Sequence, residues 1–169
     1  MTKIILITGG QRSGKSAYAQ RLALSMETNP IYLATSRIWD EEHRARIEKH
    51  KADRGSEWKN IEEEKELSKY DFTHKVVLID CVTLWATNYF FDLRSDTDKA
   101  LEALKMEFDK LVQQNACFIF VTNEIGMGEM SQNELQRKFA DLQGWINQYI
   151  AQKADTMYLM VSGIPLSVK

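Results

Sequence analysis

Gly9-Gly-Gln-Arg-Ser-Gly-Lys-Ser16 (GGQRSGKS) is the stretch on which the reading of this chain turns. It fits G-x-x-x-x-G-K-[ST], a loop that cradles phosphate. The segment before it, Lys3-Ile-Ile-Leu-Ile-Thr8, is a short apolar run rich in β-branched residues, the pattern of a buried strand. The segment after it, Ser16-Ala-Tyr-Ala-Gln-Arg-Leu-Ala-Leu24, consists mostly of strong helix formers. Strand, loop and helix together are the context the motif requires. Gly9, Gly10 and Gly14 let the backbone around Gln11, Arg12 and Ser13 aim its N–H groups at an anion. The helix that follows points its positive end at the same spot. Lys15 is then expected to reach the outer phosphates of a nucleotide, and the Ser16 hydroxyl to ligate Mg²⁺.

The chain has 169 residues and a formal net charge of −2. That length suits one domain, residues 1–169, with a full core. No basic excess is present to neutralise a phosphate backbone, so no nucleic-acid partner is expected. Cys81 and Cys117 are the two cysteines, and both lie in or beside apolar runs. They read as buried thiols in a reducing compartment, without metal-ligand spacing. The apolar start, Ile4 to Ile7, is too short for a signal sequence or a membrane span. A cytoplasmic location is expected.

Five apolar runs read as core strands: Lys3–Thr8, Ile31–Ala34, Lys75–Asp80, Cys117–Thr122 and Thr156–Val161. Helical periodicity marks Glu102–Val112 and Glu134–Lys153, with Ser131 and Glu134 as a candidate capping box. The alternation predicts an α/β fold: a mostly parallel sheet, P-loop NTPase-like, flanked by helices in three layers. Ligands of such sheets bind at the carboxyl ends of the strands. Four polar segments are therefore expected on one rim: Gly9–Ser16, Thr35–Arg37, Asp80–Cys81 and Asn123–Gly128.

Lys75-Val-Val-Leu-Ile-Asp80 is an apolar strand ending in a carboxylate, the shape of an element that holds Mg²⁺ opposite the loop serine. Asp80 can act there through a water, because Mg²⁺ retains several. A turn or helix-capping aspartate would look the same in sequence. The polar segment Asp40–Arg54 (DEEHRARIEKHKADR) reads as a helix. At about 100° per residue, His43, Arg46, Ile47, His50 and Arg54 share one narrow face. That face is either solvated or a cationic surface for phosphates.

Taken together, the chain resembles the bifunctional adenosylcobinamide kinase/adenosylcobinamide-phosphate guanylyltransferase family. The resemblance rests on ITGGQRSGKS, on YLATS at Tyr32–Ser36, and on RIEKHKADR followed by Trp58. It continues through LIDCVTLWATN at Leu78–Asn88, VTNEIGMG at Val121–Gly128 and the tail FADLQGWINQYIAQKAD…VSGIPL. Val121–Gly128 and the His-x-x-x-Arg pattern at His50–Arg54 are its discriminating pieces. Two positions depart from the family pattern: Gly55 stands where proline is frequent, and Asp80 where some members have glutamate.

The resemblance implies two reactions. A nucleoside triphosphate, ATP or GTP, phosphorylates the aminopropanol hydroxyl of adenosylcobinamide. GTP then gives its GMP to that phosphate and releases pyrophosphate. It further implies that His50 carries the GMP covalently, assisted by Lys15, with His43 and His74 outside the motif. Guanine-nucleotide contacts are implied at Ala34, Thr35, Ser36, Lys51, Ala52, Asp53, Arg54 and Glu62. A homotrimer is implied as well. From the residues alone a monofunctional P-loop small-molecule kinase, or a nucleotide switch without turnover, stays open. Glu62 also sits in an acidic stretch, Glu62–Glu66, that reads as solvated.

Overall fold

The computed structural model describes residues 1–38, 41, 44 and 55–169. Among these, seven strands form one sheet in the order β3-β2-β4-β5-β1-β6-β7. The strands are β1 (Lys3–Gly9), β2 (Ile31–Ala34), β3 (Lys59–Glu62), β4 (Val76–Asp80), β5 (Cys117–Val121), β6 (Thr156–Val161) and β7 (Ile164–Ser167). All pairings are parallel except β6 with β7. The described helices are α1 (Lys15–Met26), α2 (Val82–Asp92), α3 (Thr97–Leu111) and α4 (Glu134–Lys153).

The period-2 alternation of β1 explains the layering. Ile4 and Leu6 belong to a buried cluster with Trp85 and Phe90 of α2, Leu104 and Phe108 of α3, and Leu142, Ile146 and Ile150 of α4. Ile5 and Ile7 belong to a second cluster with Ala19 and Ala23 of α1. The sheet thus has helices on both faces, as the near-continuous apolar runs predicted. Small Ala19 and Ala23 let α1 lie close over β4, β5 and β1.

The five expected strands are present with ends shifted by one residue at most. Three elements were not anticipated. Strand β3 (Lys-Asn-Ile-Glu) carries little apolar pattern because it lies at the sheet edge, largely exposed. The β6–β7 hairpin turns at Ser162-Gly163, both with positive φ, a two-residue turn signal present in the sequence. Pro165 lies within β7, an edge strand, where its missing N–H is tolerated. Helix α2 lacks a polar stripe because five of its residues are buried, so periodicity does not single it out.

Two local expectations are corrected. The cap of α4 is Asn133, whose side chain accepts from the Gln136 N–H at 3.1 Å, and not a Ser131/Glu134 box. Ser131 instead accepts from the Asn133 N–H and donates to Gln136 Oε1. Cys117 is half-buried and not fully enclosed, whereas Cys81 is buried; both thiols are free.

Candidate active site

A single register row crosses six strands: Glu62, Ala34, Asp80, Val121, Ile7 and Tyr158 stand side by side. The chain leaves the sheet just beyond this row. Consequently the phosphate loop, Thr35–Arg37, Cys81 and Asn123 share one rim, as expected. Backbone bonds join them. The Thr35 N–H donates to the Asp80 carbonyl at 3.2 Å, and the Glu124 N–H to the Gly9 carbonyl at 3.0 Å.

The loop itself is shaped by two glycines. Gly14 has φ of 92°, and a Cβ there would lie 3.1 Å from the Gly163 Cα. A Cβ on Gly9 would lie 2.8 Å from the Met160 carbonyl oxygen. The Gly163 N–H donates to the Ser13 carbonyl at 2.9 Å. The C-terminal hairpin therefore buttresses the loop from behind, a role sequence reading missed.

Lys15 is buried at the start of α1. Its Nζ donates to the Gly10 carbonyl at 2.6 Å and lies 3.5 Å from Ser13 Oγ. Burial lowers its pKa, opposed by Cys81 and Asp80. Desolvation makes this ammonium seek an anion, which a phosphate supplies. The Cys81 thiol is pushed up to about 12 by burial first and by Asp80 next.

Asp80 Oδ2 accepts from the Tyr32 hydroxyl at 2.7 Å. Tyr32 is held edge-on against Trp58, ring centroids 5.7 Å apart. Ser16 and Asp80 present hard oxygen donors of the kind that suits Mg²⁺. Among the described residues no group of three or more His, Cys, Asp or Glu is placed to hold a metal ion, so a cation here would depend on phosphate oxygens and water for its remaining ligands.

Thr35 is fully buried, and its hydroxyl both donates to the Cys81 carbonyl (2.7 Å) and accepts from the Cys81 N–H (3.0 Å). Its side chain thus ties two strand ends together. Buried Asn88 on α2 donates to the carbonyls of Thr35 and Glu64, at 2.8 and 3.0 Å. Asn123 donates from both its N–H and its amide to Thr83 Oγ1, at 3.1 and 3.0 Å. Asn147 of α4 donates to the Asn123 carbonyl at 3.1 Å. These clamps hold the rim, and Asn88, Thr83 and Asn147 gave no individual signal in the sequence.

Gln11 and Arg12 are exposed at the loop crest, Ala34 and Ser36 half-buried, and Glu62 exposed at the end of β3. The Glu62–Glu66 stretch is less solvated than expected. Glu63 is ion-paired with Lys69 and accepts two backbone N–H groups, and Glu64 accepts from Arg37 Nε at 2.7 Å. His50, with Arg46, Lys51, Ala52, Asp53 and Arg54, lies outside the described residues, as does His43. His74 lies at the opposite sheet end, where its N–H donates to the Asn115 carbonyl.

A strand, a glycine-rich loop carrying a buried lysine, and an acid ending a nearby strand of the same sheet define a P-loop nucleotide-binding protein. The match of solved structures agrees at the level of fold. The flagellar accessory protein FlaH from Methanocaldococcus jannaschii superposes with a TM-score of 0.53 at 15% identity, covering 99% of this chain and 78% of that one. The family model "Cobinamide kinase / cobinamide phosphate guanyltransferase" matches residues 5–168. The bifunctional adenosylcobalamin biosynthesis protein CobU of Escherichia coli is 38% identical, covering 98% of this chain and 99% of its own. CobU of Salmonella typhimurium is 36% identical with the same coverage. The chain belongs to the cobinamide kinase/cobinamide phosphate guanylyltransferase family and is a transferase. No described helix is long and apolar enough to cross a membrane.

Proposed function

We propose that this chain phosphorylates the aminopropanol hydroxyl of adenosylcobinamide and then transfers GMP from GTP to that phosphate through a histidine intermediate. One observation carries the reading: Lys15, held in the loop beside Asp80, lies in a chain whose family match runs from residue 5 to residue 168.

In the first reaction the loop N–H groups and Lys15 hold the triphosphate of ATP or GTP; the corrinoid hydroxyl oxygen bonds the γ-phosphorus as the bond to the β,γ-bridging oxygen breaks, the nucleoside diphosphate leaves, and the hydroxyl proton is released to solvent. Catalysis there is positioning and charge neutralisation. Ser16 and Asp80 would hold Mg²⁺, which supplies charge neutralisation to the phosphoryl oxygens when bound.

In the second reaction the neutral imidazole of His50 attacks the α-phosphorus of GTP. The N–P bond forms as the bond to the bridging oxygen breaks, and pyrophosphate leaves. A phosphate oxygen of adenosylcobinamide phosphate then attacks the same phosphorus, and the N–P bond breaks to return free His50. Arg46 and Arg54 assist by neutralising phosphate charge. Ala34, Ser36, Lys51–Arg54 and Glu62 contact the guanine nucleotide, with Glu62 accepting from the guanine N1–H and N2 donors. Thr35 supports the same contacts by holding its neighbours. The active species is a homo-oligomer, a trimer by resemblance, working in the cytoplasm as one catalytic domain.

The decisive measurement is incubation with α-labelled GTP. Label retained on denatured protein, acid-labile and base-stable, and absent from His50→Ala, is the expected result. Phosphorylation of cobinamide by γ-labelled nucleotide with no α-label on the protein would establish the monofunctional kinase instead.

A further inference from the structure

Beside the rim lies a cavity of about 800 Å³ between the second half of α2, the segment after Asn123 and the first turns of α4. Its size is that of a small-molecule site. Phe91, Ile125, Met130, Leu135 and Phe139 supply an apolar surface, Thr87, Ser131 and Gln136 add neutral polar groups, and charged side chains of both signs, Glu129 and Lys138 among them, complete the wall. Phe91, Ile125, Met130 and Leu135 are exposed, Met130 to 80%, whereas Phe139 is half-buried and Phe90 behind it is buried. Apolar side chains left open in one concave place mark a binding surface.

We infer that this cavity receives the corrin macrocycle of the acceptor substrate. The inference rests on the proposed function, since that reading makes a corrinoid the acceptor. Three observations support it. First, the cavity borders the segment that leaves the phosphate rim. Glu124 is bonded to Gly9 of the loop, Gly126 to the Glu124 carboxylate, and Ile125 and Gly126 line the cavity. Thr87 lies five residues along α2 from its first residue Val82, about 7.5 Å of helix rise from the start of the helix that follows Asp80's strand. A substrate whose hydroxyl hangs from the ring by a multi-bond arm needs that separation. The ring must be close to the phosphate site without being in it.

Second, the lining suits the ligand. The corrin of adenosylcobinamide offers a broad, largely apolar ring face opposite its adenosyl group and a rim of amide side chains. Aliphatic and aromatic walls take the face, and hydroxyl, amide and charged groups take the rim. Third, the wall is already built. Arg137 donates to the Ser131 and Gln132 carbonyls at 2.9 and 2.7 Å, and Lys138 pairs with Glu134 at 2.7 Å. These bonds fix the 131–132 turn to α4, so little ordering remains when the ligand arrives.

The test uses the full chain and cobinamide itself, without nucleotide, with binding followed by equilibrium dialysis. Leu135→Asp and Phe91→Ala are each expected to weaken cobinamide binding by about tenfold or more, because each removes apolar contact surface. Leu166→Asp, on the exposed edge strand β7, is the control and is expected to bind as the unaltered chain does. Hydrogen exchange gives a second reading: residues 125–139 should gain protection when cobinamide is added. Unchanged affinity in both cavity variants, or a chain that binds no cobinamide, overturns the inference. So does an oligomer that falls apart in Leu135→Asp while cobinamide affinity stays the same, since the cavity is then a subunit contact. The two readings fail separately. Weakened binding in the variants with no α-label from GTP sinks the histidine step alone. A labelled protein whose cobinamide affinity ignores both substitutions sinks the cavity alone.

Discussion

The Tyr32 hydroxyl donates to Asp80 Oδ2 at 2.7 Å. This bond joins the strand that precedes the basic segment to the carboxylate proposed for the metal side. It holds the Asp80 carboxylate through Oδ2. Tyr32→Phe removes a hydrogen bond while keeping the ring against Trp58. Loss of an orienting partner of this kind typically weakens metal use by about tenfold. The kinase rate measured against Mg²⁺ concentration should show that shift, with little change at saturating Mg²⁺. An unchanged Mg²⁺ dependence would show that the Tyr32 bond does not orient Asp80 toward a metal.

Lys15 allows a prediction with a sign. Its folded pKa lies below the ordinary 10.5 because burial disfavours the charged form. Between that lowered value and 10.5 the unfolded chain holds more protons than the folded one. The stability of the nucleotide-free protein should therefore rise with pH across that window. Lys15→Met should abolish this contribution to the slope, seen by denaturant unfolding at several pH values. The same variant should lose roughly a hundredfold or more in kinase turnover, the scale of losing one positioned charge in a transition state.

Gly9 tolerates no side chain. A Cβ would sit 2.7 Å from Ser13 Oγ and 2.8 Å from the Met160 carbonyl. The backbone contact cannot yield without moving β6. Gly9→Ala should destabilise the fold by about 2 kcal/mol, in the range of overpacked sites. Thermal unfolding and triphosphate affinity should both fall. A variant as stable as the parent would mean that the hairpin does not brace the loop.

The two thiols should differ in reactivity. Cys81 is buried with its pKa pushed up to about 12, whereas Cys117 is half-buried with a smaller rise, also from burial. The thiolate is the reactive form. A thiol reagent near neutral pH should modify Cys117 first and reach Cys81 only on unfolding, as peptide mapping would reveal. Early modification of Cys81 would show that the rim opens.

The phosphate loop, its strand and its helix were legible because they are local: glycine spacing, an apolar run and helix-forming residues lie within about twenty consecutive positions. The five core strands were legible for the same reason, since burial on both faces leaves near-continuous apolar runs. Strand β3 was not, because an exposed edge needs no such pattern, and helix α2 was hidden because burial erased its polar stripe. Within the site, Lys15 and Asp80 announced themselves by motif. Tyr32, Thr35's tie to Cys81, Asn88 and Asn147 did not.

Local residue chemistry, then, specified a phosphate-binding α/β chain, and family resemblance pointed to its substrates. Which residues stand together was another matter. The register row through Glu62, Ala34, Asp80, Val121, Ile7 and Tyr158, the Gly163 bond to Ser13 across 150 residues of chain and the apolar cavity beside the rim all arise from strand order. Strand order is a property of long-range packing, in which each parallel crossover can land beside more than one neighbour at similar local cost. Only the closed core, with alternate strand faces matched to α1 on one side and α2, α3 and α4 on the other, selects one arrangement.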